Sequence, residues 1–326
     1  MARNILITGA SGYLGGELAA QLAEADLPPH GTVYALVRTD EQSAAVKALN
    51  MEPLTVDVRK GAAVEKAIVD HSISIVFWLI DALNFDSQLH FIKALSKIKE
   101  AKGFDVHFVH TSGAKIFSSH TSAPTDRPLL DTDVDLYDTQ KKQEKCPSII
   151  HRAVKTNNTI IEQATALGVR SYIFAPCIVY GKGRGFGNPI SIQTTWPVSH
   201  ISDTGSLYIA ILRTILAGGD PGHGKNGYFL AASGSVAWDD IYTSIAVAMK
   251  KRGIIQDSNI RLANDEILEK IGVALGSSKQ YVPLQLGGSC SFTAKRGEQI
   301  GWKSQYGPEH ILEALDDEVE FVLQHI

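Results

Sequence analysis

Thr8-Gly9-Ala10-Ser11-Gly12-Tyr13-Leu14-Gly15 lies between an apolar run, Asn4–Thr8, and a segment in which Leu14, Leu18 and Leu22 recur every four residues. The run has the character of a central parallel strand buried on both faces, and the leucines mark a helix with one apolar stripe. The octet is therefore a strand–turn–helix junction of the pattern T-G-x-x-G-x-x-G. Each glycine has a mechanical reason. Gly9 permits the tight turn, Gly12 lets backbone N–H groups approach a pyrophosphate, and Gly15 allows the helix to pack close to the sheet. The helix N-terminus adds unpaired donors and the positive end of its dipole, so Thr8, Gly9, Ser11, Gly12, Tyr13, Leu14 and Gly15 read as a dinucleotide phosphate site.

Which dinucleotide is read at the end of the second strand. An acid there usually meets the ribose 2′-hydroxyl of NAD, whereas an Arg accommodates a 2′-phosphate. The segment Val33-Tyr34-Ala35-Leu36-Val37 ends in Arg38, with no acid before Asp40. A planar guanidinium suits a phosphate, so the expected cofactor is NADP(H) rather than NAD(H). Asp57, after the third strand, is a candidate for the adenine amino group or a plain turn residue.

Working outward, strands alternate with helices through the first half. Thr32–Val37, Leu54–Val58, Ile73–Ile80 and Val106–His110 read as strands. Glu41–Leu49, Ala62–Val69 and Gln88–Ala101 read as helices. That alternation implies βαβ units: a Rossmann-type, doubly wound parallel α/β sheet. The Asp-rich stretch 118–148 reads as a long surface loop. A helix over Arg152–Leu167 and a strand Ser171–Ala175 resume the pattern. Beyond Gly181 it fails, and four further helices, near 207–216, 238–251, 265–275 and 309–324, suggest a smaller mixed C-terminal substrate lobe. We divide the chain as 1–180, the dinucleotide-binding domain with later elements interleaved, and 181–326, mainly the substrate lobe. Trp196, Trp238 and Trp302 read as core. Gly181–Gly187, with Lys182 and Arg184, reads as a flexible loop, with a phosphate clamp as the alternative.

Composition excludes several classes. The 326 residues carry a net charge of −4 from 31 basic and 35 acidic side chains, which favours neither nucleic acid nor an anionic membrane as partner. No apolar run approaches the roughly 18 residues a membrane helix needs. No secretory leader is visible, and Cys146, Cys177 and Cys290 are scattered, which suits a reducing, cytoplasmic location and not a zinc or disulfide framework. His107 and His110 flank one strand without a third ligand at metal spacing, so no metal site is expected.

With these residues in hand, the chain resembles an extended short-chain dehydrogenase/reductase, epimerase/dehydratase-like. Val109-His110-Thr111-Ser112-Gly113 sits where that family carries its catalytic Ser/Thr strand end. Val179-Tyr180-Gly181 after Pro176 resembles R-P-x-x-V-Y-G, His200-Ile201-Ser202-Asp203 resembles H-V-x-D, and Gly301-Trp302 resembles L-G-W. In detail it is similar to an atypical subgroup common in fungi, with T-S-G after the fifth strand and H-R-x-V where ordinary members carry Y-x-x-x-K. Here the helix reads His151-Arg152-Ala153-Val154-Lys155.

The resemblance implies roles. Lys155 would hold the nicotinamide ribose, Ser112 would orient substrate, and His151 would stand in for the phenol. An imidazole with a pKa of roughly 6.5 suits acid–base work, but a neighbouring Lys155 cation would lower it and make it a base more than an acid. The other reading is that His151 is a hydrogen-bonded residue at a helix N-terminus. Asp81, at a strand end near the cleft, and Tyr180 are further candidates. Three functions follow: an NADP-dependent oxidoreductase on a small alcohol or carbonyl compound, a non-redox isomerase, epimerase or dehydratase, and an NmrA-like NADP(H) sensor without catalysis. The family resemblance also suggests a homodimer.

Overall fold

The structure, a computed structural model, describes residues 2–143, 146–188 and 197–325. Its main sheet has seven strands: β1 (Asn4–Ile7), β2 (Val33–Leu36), β3 (Glu52–Leu54), β4 (Ile73–Trp78), β5 (His107–Thr111), β7 (Arg170–Pro176) and β10 (Tyr228–Ala231). All pair in parallel, in the order β3-β2-β1-β4-β5-β7-β10. The order reverses between β1 and β4, and such a reversal opens a crevice at the carboxyl ends of the strands.

Helices cover both faces. Against one lie α1 (Tyr13–Glu24), α2 (Asp40–Ala48) and α7 (Ile201–Leu216), with Leu18, Val46, Leu207 and Leu212 in a common core. Against the other lie α3 (Gly61–Asp70), α4 (Asp86–Lys102) and α6 (Ser148–Ala166), with Val64, Phe91, Leu95, Ile160 and Ile161 buried. The expected doubly wound parallel α/β fold is what the chain forms. Three of its parts come from the second half of the sequence: β7 extends the sheet, α7 completes one helical layer and β10 closes the sheet edge.

The stretch expected to be a surface loop carries structure. It holds β6 (Leu129–Leu130) and α5 (Leu136–Lys141), with Leu129, Leu136 and Tyr137 buried. β6 pairs with β12 (Phe292–Thr293), so a distant strand organises it. A third sheet, β8 (Ile178–Tyr180), β9 (Pro197–His200) and β11 (Gly234–Ser235), packs under α8 (Trp238–Lys251) and α12 (His310–Leu323). Three short helices, α9 (Asp265–Ala274), α10 (Val282–Leu286) and α11 (Lys295–Gln299), complete the mixed lobe. Trp302 is buried, donating to Ser206 Oγ at 2.8 Å, and Trp238 stacks on Tyr242. Trp196 lies outside the described residues. Among the described residues no helix is long and apolar enough to cross a membrane.

The two histidines of β5 point to opposite faces of the sheet, as residues three apart on a strand must. His107 Nδ1 lies 2.9 Å from Tyr172 Oη and Nε2 accepts from Arg3 Nη1 at 3.0 Å, so the ring is neutral with its proton on Nδ1. His110 is wholly buried on the other face, and burial drives its pKa down to about 3 against the opposing pull of Asp81 and Asn157. In the unfolded chain a histidine titrates near roughly pH 6.5, so between there and about pH 3 unfolding takes up a proton that the folded protein refuses. Stability therefore falls as pH falls through that window, by about 1.4 kcal/mol per pH unit for one group. Urea unfolding of His110→Phe between about pH 5 and 6 should show a slope shallower by close to one proton. An unchanged slope would mean that His110 is charged in the folded state.

Candidate active site

The turn after β1 is built on bare backbone. Gly9 has φ +71°, and a Cβ there would stand 2.7 Å from the Leu79 carbonyl oxygen. At Gly15 a Cβ would come within 2.1 Å of Gly9 O. Thr8 is buried and holds the end of β4 against the turn: its amide donates to Phe77 O at 2.9 Å and its Oγ1 accepts from Leu79 N at 3.0 Å. Gly12 donates to Gly9 O at 2.9 Å, and Gly16 is the first amide to find a helical partner, Gly12 O at 2.8 Å. That leaves the N–H groups of Tyr13, Leu14 and Gly15 directed out of the helix end, with no acid in the first turn to oppose an anion. The cradle fits a pyrophosphate. Tyr13 and Leu14 also have structural duties, since Tyr13 is buried and donates from its hydroxyl to Gly181 O at 2.6 Å, and Leu14 packs beside it.

The remaining cofactor candidates divide. Arg38 follows β2 exposed; its backbone N–H donates to Gln42 Oε1 at 2.8 Å, and its guanidinium has no partner among the described residues. Asp57 turns inward on its own loop, accepting from Arg59 N at 3.1 Å and pairing with Arg59 Nε at 2.9 Å, an arrangement that pushes its pKa down to about 2. Ser11 is half-buried; its carbonyl accepts from Asn188 N at 3.1 Å, so the segment after Gly181 runs along the glycine loop. Arg184 is committed there too, to the fully buried carboxylate of Glu17 at 3.1 Å and to Glu24 at 2.9 Å. It is a structural clamp on α1, not a free phosphate ligand.

A cavity of about 850 Å³ opens beyond the carboxyl ends of β4, β5 and β7. Ala82 and Leu83, Ser112 to Ile116, and Pro176 line the sheet side; Ser148 to Ile150 and Ala153 line it from α6; Leu275 to Ser278, Tyr281 and Leu284 to Leu286 close it from the mixed lobe. Ser112 is buried in its wall. Its Oγ accepts from Asn157 Nδ2 at 3.0 Å, and the same amide donates to Gln140 Oε1 at 2.9 Å, whose Nε2 in turn donates to Tyr228 Oη at 2.7 Å. Because Ser112 is an acceptor in that chain, its own proton remains available to a cavity ligand.

Residues 5–142 match the profile of the NAD dependent epimerase/dehydratase family. Over the whole chain the fold is similar to that of vestitone reductase from alfalfa, Medicago sativa, at 15% identity and TM-score 0.60, covering 99% of this chain and 98% of that one. It is similar also to UDP-glucose 4-epimerase from Thermotoga maritima, at 12% identity and TM-score 0.61, covering 99% of both chains. UDP-glucose 4-epimerase from Bifidobacterium longum, solved in complex with NAD+ and UDP, gives 11% identity and TM-score 0.60, with 99% and 100% covered. At these identities the likeness is one of fold. No curated protein matches the chain.

The structure does not bring the expected catalytic trio together. The helix starts at Ser148, four residues earlier than the expected Arg152, so His151 is inside its first turn. His151 and Lys155 are exposed, and neither is among the residues lining the cavity. Lys155 Nζ lies over the Phe85 ring at 5.6 Å and Arg152 donates to Asn84 at 2.6 Å, so this face leans on the loop after β4. The i, i+4 spacing was read without its phase. The buried stripe Ile150, Ala153, Val154, Asn157, Ile160, Ile161 and Ala164 faces the protein, and at about 100° per residue Lys155 falls nearly opposite it. Asp81 is used by its loop, its carboxylate accepting from Leu83 N at 2.7 Å and Asn84 Nδ2 at 2.5 Å. Tyr180 donates or accepts at His310 Nδ1, 3.0 Å away, outside the cavity.

Three site residues escaped the sequence reading: Asn157, Gln140 and Lys115. Asn157 carried a signal, since a polar residue in phase with an apolar helical stripe needs a buried partner. Its removal should be costly. Asn157→Leu strips the partner from two buried polar groups, and chemical denaturation should show a loss of about 1–3 kcal/mol with an unchanged m-value. His151→Ala and Lys155→Ala, on the exposed face, should stay within about 0.5 kcal/mol of the parent. Equal losses in all three would contradict the helix orientation.

Proposed function

We propose that the protein is an NADP(H)-dependent oxidoreductase acting on a small alcohol or carbonyl compound held in the cavity. The observation that carries this reading is the position of that cavity. It opens at the carboxyl ends of β4, β5 and β7, next to the crevice into which the glycine loop aims its free amides. The amides of Tyr13, Leu14 and Gly15 would hold the pyrophosphate, and Arg38 would take the 2′-phosphate. When bound, the dinucleotide supplies the hydride acceptor or donor. Ser112, oriented by Asn157, would hydrogen-bond the substrate oxygen. The named neighbours include a reductase and epimerases, a range in keeping with either redox or non-redox chemistry on this scaffold.

A second reading, a non-redox isomerase, epimerase or dehydratase, is favoured by one specific observation. The face that α6 turns to the cavity carries Ser148, Ile149, Ile150 and Ala153, with no phenol–ammonium pair on it to supply a proton. Substrate conversion without net change in nicotinamide absorbance would select it over the first.

Calorimetric titration with NADPH, NADP⁺, NADH and NAD⁺ tests the common premise. NADPH should bind in the micromolar range, and Arg38→Ala should weaken it by about fivefold or more, as loss of a charged hydrogen bond predicts, while leaving NADH unaffected. Failure of every nicotinamide to bind would overturn the proposal. Equal weakening of NADPH and NADH would remove Arg38 from the 2′-phosphate.

A further inference from the structure

Lys115 is the only charged side chain among the described residues that line the cavity. It sits in the short 3-10 turn Ala114–Phe117, just past Thr111-Ser112-Gly113, and Ala114 and Ile116 on either side of it are buried. The wall that carries it is tied down. Ser119 N donates to Ser289 O at 2.7 Å, Ser289 N donates back to Ser119 Oγ at 2.8 Å, and Cys290 Sγ lies 3.3 Å from Phe117 O. Among the described residues its ammonium makes one hydrogen bond, a long donation to Gln285 O at 3.4 Å across the cavity. No carboxylate among the described residues stands against it. Desolvation alone acts on it and lowers its pKa to about 8.

A half-buried cation without a counterion is costly unless something else supplies the negative charge. Among the described residues nothing in this wall does so, and the rest of the lining is apolar or hydroxylic apart from the Gln285 amide. The rim is oily as well, with Ile149, Leu275 and Tyr281 each more than two-fifths exposed. We propose that the cavity takes a small, largely apolar carboxylate, and that Lys115 is the residue that receives its anionic oxygen. This rests on reading the cavity as the substrate pocket; it adds the chemical class of what enters and the group that selects it. The apolar body of the ligand fills the space between α6 and α10, and its carboxylate sits against Lys115, leaving Ser112 to the alcohol or carbonyl oxygen.

Two probes of one shape and different charge test it: 2-naphthoate and neutral 2-naphthamide, titrated into the full-length protein by fluorescence. The parent should prefer naphthoate by at least about tenfold, as a charge-assisted contact in a poorly solvated site should give. Lys115→Met should abolish the preference while binding naphthamide within about twofold of the parent, which also reports an intact pocket. Lys115→Arg should keep the preference. The inference is overturned if the parent binds both probes alike, if it binds neither at millimolar concentration, or if Lys115→Met retains the preference. Parallel NADPH titrations separate the failures. NADPH bound by a parent that shows no naphthoate preference sinks the carboxylate assignment alone, whereas absent NADPH binding sinks the functional reading whatever naphthoate does.

Discussion

The join between the ends of β1 and β4 is the constraint on which the rest of the site depends. Gly9 leaves β1 with a left-handed backbone and the Leu79 carbonyl oxygen packed where a side chain would stand, while Thr8 accepts the Leu79 amide on its hydroxyl. These two strands are the ones between which the sheet order reverses. Fixing them at this distance sets the width of the crevice, aims α1 at it end-on, and sends the chain after β4 past Asp81 to the cavity mouth at Ala82 and Leu83. A side chain at position 9 or 15 would have to push apart groups that define both the turn and the sheet. The same close approach continues outward: Gly16 and Gly185 face each other so closely that a Cβ on either would lie 2.6 Å from the other's Cα. The loop after Gly181 is thereby seated on α1, with Glu17 and Arg184 holding it.

A second constraint acts on α6. Its apolar stripe and the buried Asn157 fix the rotation of the helix, and that rotation chooses which residues can do chemistry. Both protons of the Asn157 amide are placed only when it reaches Ser112 and Gln140 together, so the polar chain from Ser112 to Tyr228 locks the helix to the strand end. The cost of that lock is functional specificity of another kind: His151 and Lys155 are carried to the outer face, and the cavity receives isoleucines and an alanine in their place. The polar chemistry of the pocket then falls to the turn after β5, to Ser112 and Lys115.

Much of the frame was legible in the sequence because its signals are local. A glycine turn, a four-residue leucine repeat and short apolar runs are decided by neighbours in the chain, and β1, β2, β4 and helices α1 to α4 fall within a few residues of their expected places. What was not legible depends on pairing at long range. The third strand is Glu52–Leu54 instead of Leu54–Val58, because its partner β2 ends at Leu36, opposite Leu54, and Val56 and Val58 pack on the core from the loop beyond. β6 exists only through β12, and β10 through β7. Lys115 is the sharpest case. Alone in the sequence it reads as a solvated charge; in the fold it is partly buried and meets the Gln285 carbonyl of α10 from 170 positions away. The phase of α6, by contrast, was written in its own apolar stripe, and attending to the i, i+4 pair alone concealed it.

The most direct test of the account is whether the glycine loop and the cavity are two ends of one dinucleotide site. Hydrogen–deuterium exchange of the full-length protein with and without saturating NADPH measures this at both ends at once. If they are, peptides covering Ile7–Leu18 and Ser112–Ile116 become protected while α12 stays unchanged. Protection confined to segments away from the crevice, or none at either end, would contradict it.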